Sequence, residues 1–179
     1  MQLETLDVID SAIKIGLGGV LGGFASYMKS KADHDNERSK ELRSYKLKTI
    51  ELIAENFELI LNAERRFRGM LDAVIKERKT DDGYRLDESA IKNLDDRDEK
   101  LLNALDSANI ANARLALMDE TVASKALAEI LSLIVDFRNP IMLERKAPRK
   151  EAYEQYEASI KSTRDGFQSE LAKIYQAIN

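Results

Sequence analysis

The spacing of apolar residues along this chain predicts α-helices over most of its length. From Ile50 to Val74, apolar side chains recur at alternating intervals of three and four residues, the repeat of one helix face. This repeat predicts a helix over about residues 37–79, which the glycine-containing sequence 80–83 ends. Only Glu64 interrupts the apolar row, and we expect its carboxylate to pair with an arginine or lysine of a neighbouring helix.

A second helix follows, and its later half contains several asparagines. Asp87 or Ser89 can serve as its N-cap. Asparagine at a buried helix seam often fixes the register of neighbouring helices, so we expect that role here. The expected apolar face consists of Ile91, Leu94, Leu101, Leu105 and Ala108, and the asparagines are Asn103, Asn109 and Asn112.

Two more helices complete the predicted bundle. Residues 121–138 are apolar over a wide arc, so this helix is expected to be the most buried, with an end at Asn139 and Pro140. Pro148 fits the first turn of a fourth helix, whose apolar face runs to Ile178. The predicted fold is therefore all-α: a glycine-rich transmembrane helix followed by an antiparallel bundle of about four long helices.

The N-terminal segment is apolar and rich in glycine. Fourteen residues from Ile15 to Met28 carry no charge, and they include five of the eight glycines of the chain. Small residues also recur there every three or four positions. Because such rows let helices approach closely in lipid, they predict self-association into a homo-oligomer. The expected helix–helix interface consists of Ala12, Gly16, Gly19, Gly23 and Ser26, with a second row of Gly18, Gly22 and Ala25.

The length of this segment fits a single membrane span. A bilayer core needs about twenty apolar residues, and the stretch from Val8 to Met28 supplies them if Asp10 and Lys14 are included. These two residues are four apart and can pair near one end of the helix. A buried or interfacial helix remains an alternative. A cleavable signal peptide is another, although its first region would be basic and this one is acidic.

Net positive charge follows the apolar segment, whereas the residues before it are net acidic. Residues 29–48 carry seven basic and four acidic side chains. The positive-inside rule then places the N-terminus outside and the bundle in the cytoplasm. The sequence thus divides into a membrane segment, 1–28, a basic juxtamembrane helix, 29–48, and a cytoplasmic bundle, 49–179. The residues expected at the lipid surface are Lys29, Lys31, Arg38, Lys40 and Arg43.

The residue types that carry most catalytic and metal chemistry are scarce. The chain has no cysteine and one histidine, His34, which we interpret as part of a solvated helix face. The net charge of −4 gives no reason to expect nucleic-acid binding. No catalytic residue, cofactor, metal site or small-molecule substrate is therefore predicted, and the chain is not expected to be an enzyme.

The favoured hypothesis is a membrane-anchored interaction or scaffold protein that self-associates through its small residues. Its expected partners are membrane lipid, further copies of the chain and an unidentified protein. An alternative is a pore-forming or membrane-disrupting effector of the toxin, holin-like or defence type. A second alternative is a soluble helical bundle.

Overall fold

The structure is a computed structural model, and the residues that it describes form four helices. It describes the backbone of residues 2–78 and 84–178, and the side chains of residues 37–76 and 84–178. The helices are α1 (Gln2–Arg78), α2 (Glu88–Leu117), α3 (Thr121–Met142) and α4 (Lys150–Ile178). Apart from a single β-bridge between Arg85 and Lys146, no strand pairing occurs among these residues. The all-α prediction is confirmed.

The chain forms two compact units, Met1–Lys46 and Leu47–Asn179. In the first unit, the described side chains of residues 37–46 are exposed. The second unit contains the bundle, to which α1 contributes its residues from Leu47 onward. Within the described residues, no helix is long and apolar enough to cross a membrane.

The bundle core contains the apolar row that the sequence predicts on α1. The row is buried throughout, and Phe57 meets Phe167 of α4 with ring centroids 4.4 Å apart. Such tilted aromatic pairs add to the stabilisation from burial alone. The buried residues of the row are Ile50, Ile53, Phe57, Ile60, Phe67, Leu71 and Val74.

Neighbouring helices in the bundle are antiparallel. Between α2 and α3, Asn112 bonds Ser124 whereas Asp98, earlier on α2, bonds Arg138, later on α3. Between α1 and α4, Phe57 contacts Phe167, whereas Glu64, later on α1, contacts Tyr156, earlier on α4. The connections between the helices are short, so the topology is up-down-up-down.

The start of α2 is fixed by a side-chain cap. The Asp87 carboxylate accepts a hydrogen bond of 2.8 Å from the backbone N–H of Ala90, so Asp87 is the N-cap. Of the three asparagines expected to fix register, Asn112 contacts a neighbouring helix through its bond with Ser124. Asn103 and Asn109 are exposed, and the prediction is wrong for them.

The predicted end of α3 at Asn139 and Pro140 is wrong. The helix continues through Pro140 to Met142. Proline removes one backbone donor, which is a limited loss in the last turn, and Ile141 is buried. The Leu143 N–H still donates to the Asn139 carbonyl at 2.9 Å. Pro148 in turn precedes α4, which begins at Lys150, instead of lying in its first turn.

Candidate functional site

Glu64 is buried between α1 and α4 and has two polar partners. Its carboxylate accepts a hydrogen bond of 3.1 Å from the Tyr156 hydroxyl of α4. The Arg68 Nε lies 2.7 Å from the same carboxylate oxygen. The cationic partner therefore comes from α1 itself, one turn away, and the neighbouring helix supplies a phenol. The prediction of a cation from another helix is wrong. Arg68 lies four residues after Glu64 on the same helix, so its guanidinium is close enough to pair with the carboxylate.

Burial controls the ionisation of this group. Removal from water raises the pKa of Glu64, and the opposing effects of Arg68 and Tyr156 do not cancel that rise. Burial, followed by the nearby Glu64 charge, also raises the pKa of the Tyr156 hydroxyl. A phenol with a raised pKa remains a proton donor at neutral pH. Tyr156 is therefore suited to hold the Glu64 carboxylate and not to act as a base.

Arg68 connects this buried acid to a second one at the surface. Its Nη1 donates to the Glu157 carboxylate of α4, so one guanidinium contacts two carboxylates. Phe137 of α3 stacks on Tyr156, with ring centroids 3.9 Å apart and planes 8° from parallel. Three helices thus converge on the phenol, which makes the cluster a joint between α1, α3 and α4.

A second buried ion pair joins α2 to α3. Arg138 donates from Nε and Nη2 to the two Asp98 carboxylate oxygens, at 2.5 and 2.6 Å. The side chains are only 12% and 10% exposed. Bidentate geometry of this kind satisfies the carboxylate and fixes the orientation of the guanidinium. This pair and the Glu64 cluster are structural joints, because in each a buried carboxylate is paired with an arginine.

The α1–α2 seam is different because its charged groups face open space. Two adjoining cavities of about 380 and 350 Å³ follow this seam, and they share Arg66 of α1 and Arg97 of α2. We call the two cavities together the α1–α2 groove. Its lining consists of Leu59, Asn62, Ala63, Arg66, Gly69, Met70, Ala73, Arg97, Lys100, Asn103, Ala104 and Ser107.

The described lining of the α1–α2 groove is cationic. Arg66, Arg97 and Lys100 contribute positive charge, and none of the lining residues is acidic. Asp96 lies outside the lining and contacts Arg97 at 3.2 Å and Lys100 at 2.8 Å. Its side chain is 63% exposed, so these pairs are weak and easily exchanged. The groove can therefore attract a negatively charged ligand.

Exposed apolar side chains lie on the same two helices as the groove, and one of them, Leu59, lines it. Leu59 is 56% exposed and Leu52, two turns earlier on α1, is 44% exposed. Because the helices are antiparallel, this part of α1 lies alongside the later half of α2, where Ile110 is 55% exposed. These three residues lie outside the core that the four helices enclose. We call these three exposed apolar residues of α1 and α2 the apolar strip.

Metal chemistry finds no support in the part of the chain that the structure describes. Within residues 37–76 and 84–178, no group of three or more histidine or acidic side chains could hold a metal ion. His34 and its acidic neighbours lie outside the residues whose side chains are described.

The site residues predicted from sequence fall mainly outside the described side chains. This applies to Lys29 and Lys31 and to the whole small-residue interface: Ala12, Gly16, Gly18, Gly19, Gly22, Gly23, Ala25 and Ser26. Arg38, Lys40 and Arg43 are described and exposed. The sequence analysis missed the α1–α2 groove, whose cations come from two helices. Their spacing along the chain carries no signal of their proximity.

Comparison of the chain with protein-family models, curated protein sequences and solved structures finds no match.

Proposed function

We propose that this chain is a helical interaction module, held at a membrane by its glycine-rich N-terminal helix, and that it self-associates through the small residues of that helix. The proposed orientation places the N-terminus outside and the bundle in the cytoplasm.

The observation that carries the interaction role is the apolar strip of Leu52, Leu59 and Ile110. The bundle already buries a continuous core between its four helices, yet these large side chains remain about half exposed or more. Exposed apolar surface rimmed by polar residues is typical of protein contact sites.

The N-terminal sequence supports the membrane role. The stretch from Val8 to Met28, in which Asp10 and Lys14 can pair near one end, has the length of a single span. The basic residues that follow it, including the exposed Arg38 and Lys40, suit a surface of anionic headgroups. The small residues in this stretch suit close helix packing in lipid.

Alkaline carbonate extraction of cells expressing the full chain tests the tether. We expect the intact protein in the membrane pellet, and a variant lacking residues 1–28 in the supernatant. Full-length protein released by carbonate would contradict the membrane role and favour the soluble alternative.

Membrane potential after induced expression separates a tether from a pore. A tethered interaction module leaves the potential unchanged. Rapid depolarisation that is abolished by replacing Gly19 and Gly23 with isoleucine would instead establish the pore-forming alternative.

A further inference from the structure

The geometry points to the α1–α2 groove as the docking site for an acidic amphipathic helix of a partner protein. This inference rests on the proposed interaction role and adds the chemistry of the partner. Three properties of the groove carry it: its charge, its small lining residues and its overlap with the apolar strip at Leu59.

The positive charge of the groove indicates that the partner is negatively charged. The groove presents Arg66, Arg97 and Lys100, with no acidic residue among its described lining, although the chain as a whole has a net charge of −4. A local positive surface on an acidic protein selects against basic partners and speeds encounter with acidic ones. Carboxylates of a partner can take the place of Asp96, whose contacts with Arg97 and Lys100 are exposed.

Small residues set the shape. Ala63, Gly69 and Ala73 line the α1 side, and Ala104 lines the α2 side. A Cβ added at Gly69 would meet no atom within 4 Å, so the space above this position is open. Side-chain ridges of a helix fit the groove between two other helices, and small residues on the floor let its backbone approach closely.

The apolar strip sets the pattern of the partner. Leu59 lines the groove, and Leu52, two turns earlier on α1, and Ile110 of α2 are also exposed apolar residues. From Leu52 to Ala73, the seam is roughly 30 Å long at 1.5 Å per residue. A helix of about twenty residues spans this length. Leucines at heptad spacing would cover the strip, and glutamates beside them would reach the three cations.

A synthetic peptide probe tests the inference on the full chain in detergent micelles. The probe is a fluorescein-labelled 21-residue helix with leucine at the first and fourth positions of each heptad and glutamate at the flanking positions. A second peptide carries lysine in place of each glutamate. We expect the glutamate peptide to bind by fluorescence anisotropy, with an affinity that falls as salt rises, and the lysine peptide to bind at least about tenfold more weakly.

Two variants locate the binding. Replacing Arg66 and Lys100 together by glutamine should weaken binding of the glutamate peptide about tenfold or more. Gly69→Leu fills the open space above α1 without touching the core, and it should weaken binding by steric exclusion. The matched control replaces Lys150 and Lys173, two exposed lysines of α4, by glutamine, and it should bind as the natural chain does.

Three results would overturn the inference: no binding of the glutamate peptide, equal binding of the lysine peptide, or equal loss in the α4 control. These results are separate from the membrane test. If the protein resists carbonate extraction but does not bind the peptide, the membrane tether is supported and the docking site is contradicted. If carbonate releases the protein but the peptide binds at the groove, the docking site is supported and the tether is contradicted.

Discussion

Arg138 and Asp98 form a bidentate ion pair that joins α3 to α2 inside the bundle, with donor–acceptor distances of 2.5 and 2.6 Å. Neither side chain is more than about an eighth exposed. Each charge has lost most of its contact with water and depends on the other for compensation. The stability of the α2–α3 contact therefore depends on keeping both residues or neither.

Replacing Arg138 alone should destabilise the bundle strongly. We expect Arg138→Met to lower the free energy of unfolding by about 3 kcal/mol, because Asp98 would be left as a buried charge without a partner. Urea unfolding followed by circular dichroism measures the loss. The double variant Asp98→Leu/Arg138→Met should recover most of it. Lys173→Met, which breaks the exposed pair with Glu170, should cost less than about 0.5 kcal/mol. A double variant as unstable as the single one would contradict this account.

Glu64 should make stability fall as pH rises. Burial raises its folded-state pKa above the ordinary value of 4.5. At a pH between the unfolded-state pKa and the folded-state pKa, Glu64 holds a proton in the folded chain that it has released in the unfolded chain. The contribution of Glu64 to stability is therefore complete below pH 4.5 and is lost as pH rises through the folded-state pKa. Glu64→Gln removes this contribution and keeps an acceptor for Tyr156. The difference in unfolding free energy between the natural chain and this variant, measured across pH, gives the contribution of Glu64. If this difference does not change with pH, or if Glu151→Gln at an exposed position gives the same pH dependence, Glu64 is not responsible.

Gly166 should be replaceable with a gain in stability. It lies within α4, where an added Cβ would meet no atom within 4 Å. Glycine costs a helix interior about 1 kcal/mol relative to alanine, so Gly166→Ala should raise the free energy of unfolding by up to that amount. Thermal melting measures the change. The reverse substitution at an exposed position of the same helix, Ala158→Gly, should lower stability by a similar amount, and a fall in both variants would refute the prediction.

The small residues of the N-terminal helix should act as contacts between copies of the chain. Replacing Gly19 and Gly23 by isoleucine would hold neighbouring backbones apart, so we expect weaker chemical crosslinking of the full chain in membranes. The control changes Leu17 and Leu21 to isoleucine; neither residue belongs to the two rows of small residues, and both substitutions keep the side-chain volume almost constant. An unchanged ladder of crosslinked species in the glycine variant would show that these residues are not an interface.

The helical fold could be predicted because its signal is local. The buried row on α1 and the cap at Asp87 follow from the spacing of residues along one helix. Asp98 was missed although it occupies the position between Leu94 and Leu101 on the same apolar face. A polar residue at such a position indicates a buried pair, as it did at Glu64. Its partner Arg138 lies forty residues away, and no periodicity within one helix reveals that distance in space.

The α1–α2 groove could not be predicted for a related reason. Arg66 and Arg97 each look like ordinary solvated residues on their own helices. Their proximity depends on how far each helix is rotated about its axis when the core closes. The end of α3 was misjudged because the burial of Ile141 outweighed the local preference against helix at Asn139 and Pro140.

The two buried polar joints also limit which arrangements of the helices are possible. An apolar heptad surface alone would tolerate sliding one helix along another by two turns, since leucine would again face leucine. Such a shift would separate Glu64 from Tyr156 or Asp98 from Arg138 and leave carboxylates facing hydrocarbon. The two joints therefore disfavour arrangements in which a helix has shifted along its neighbour. They hold α1 and α2, the walls of the groove, in one alignment for a partner that docks there.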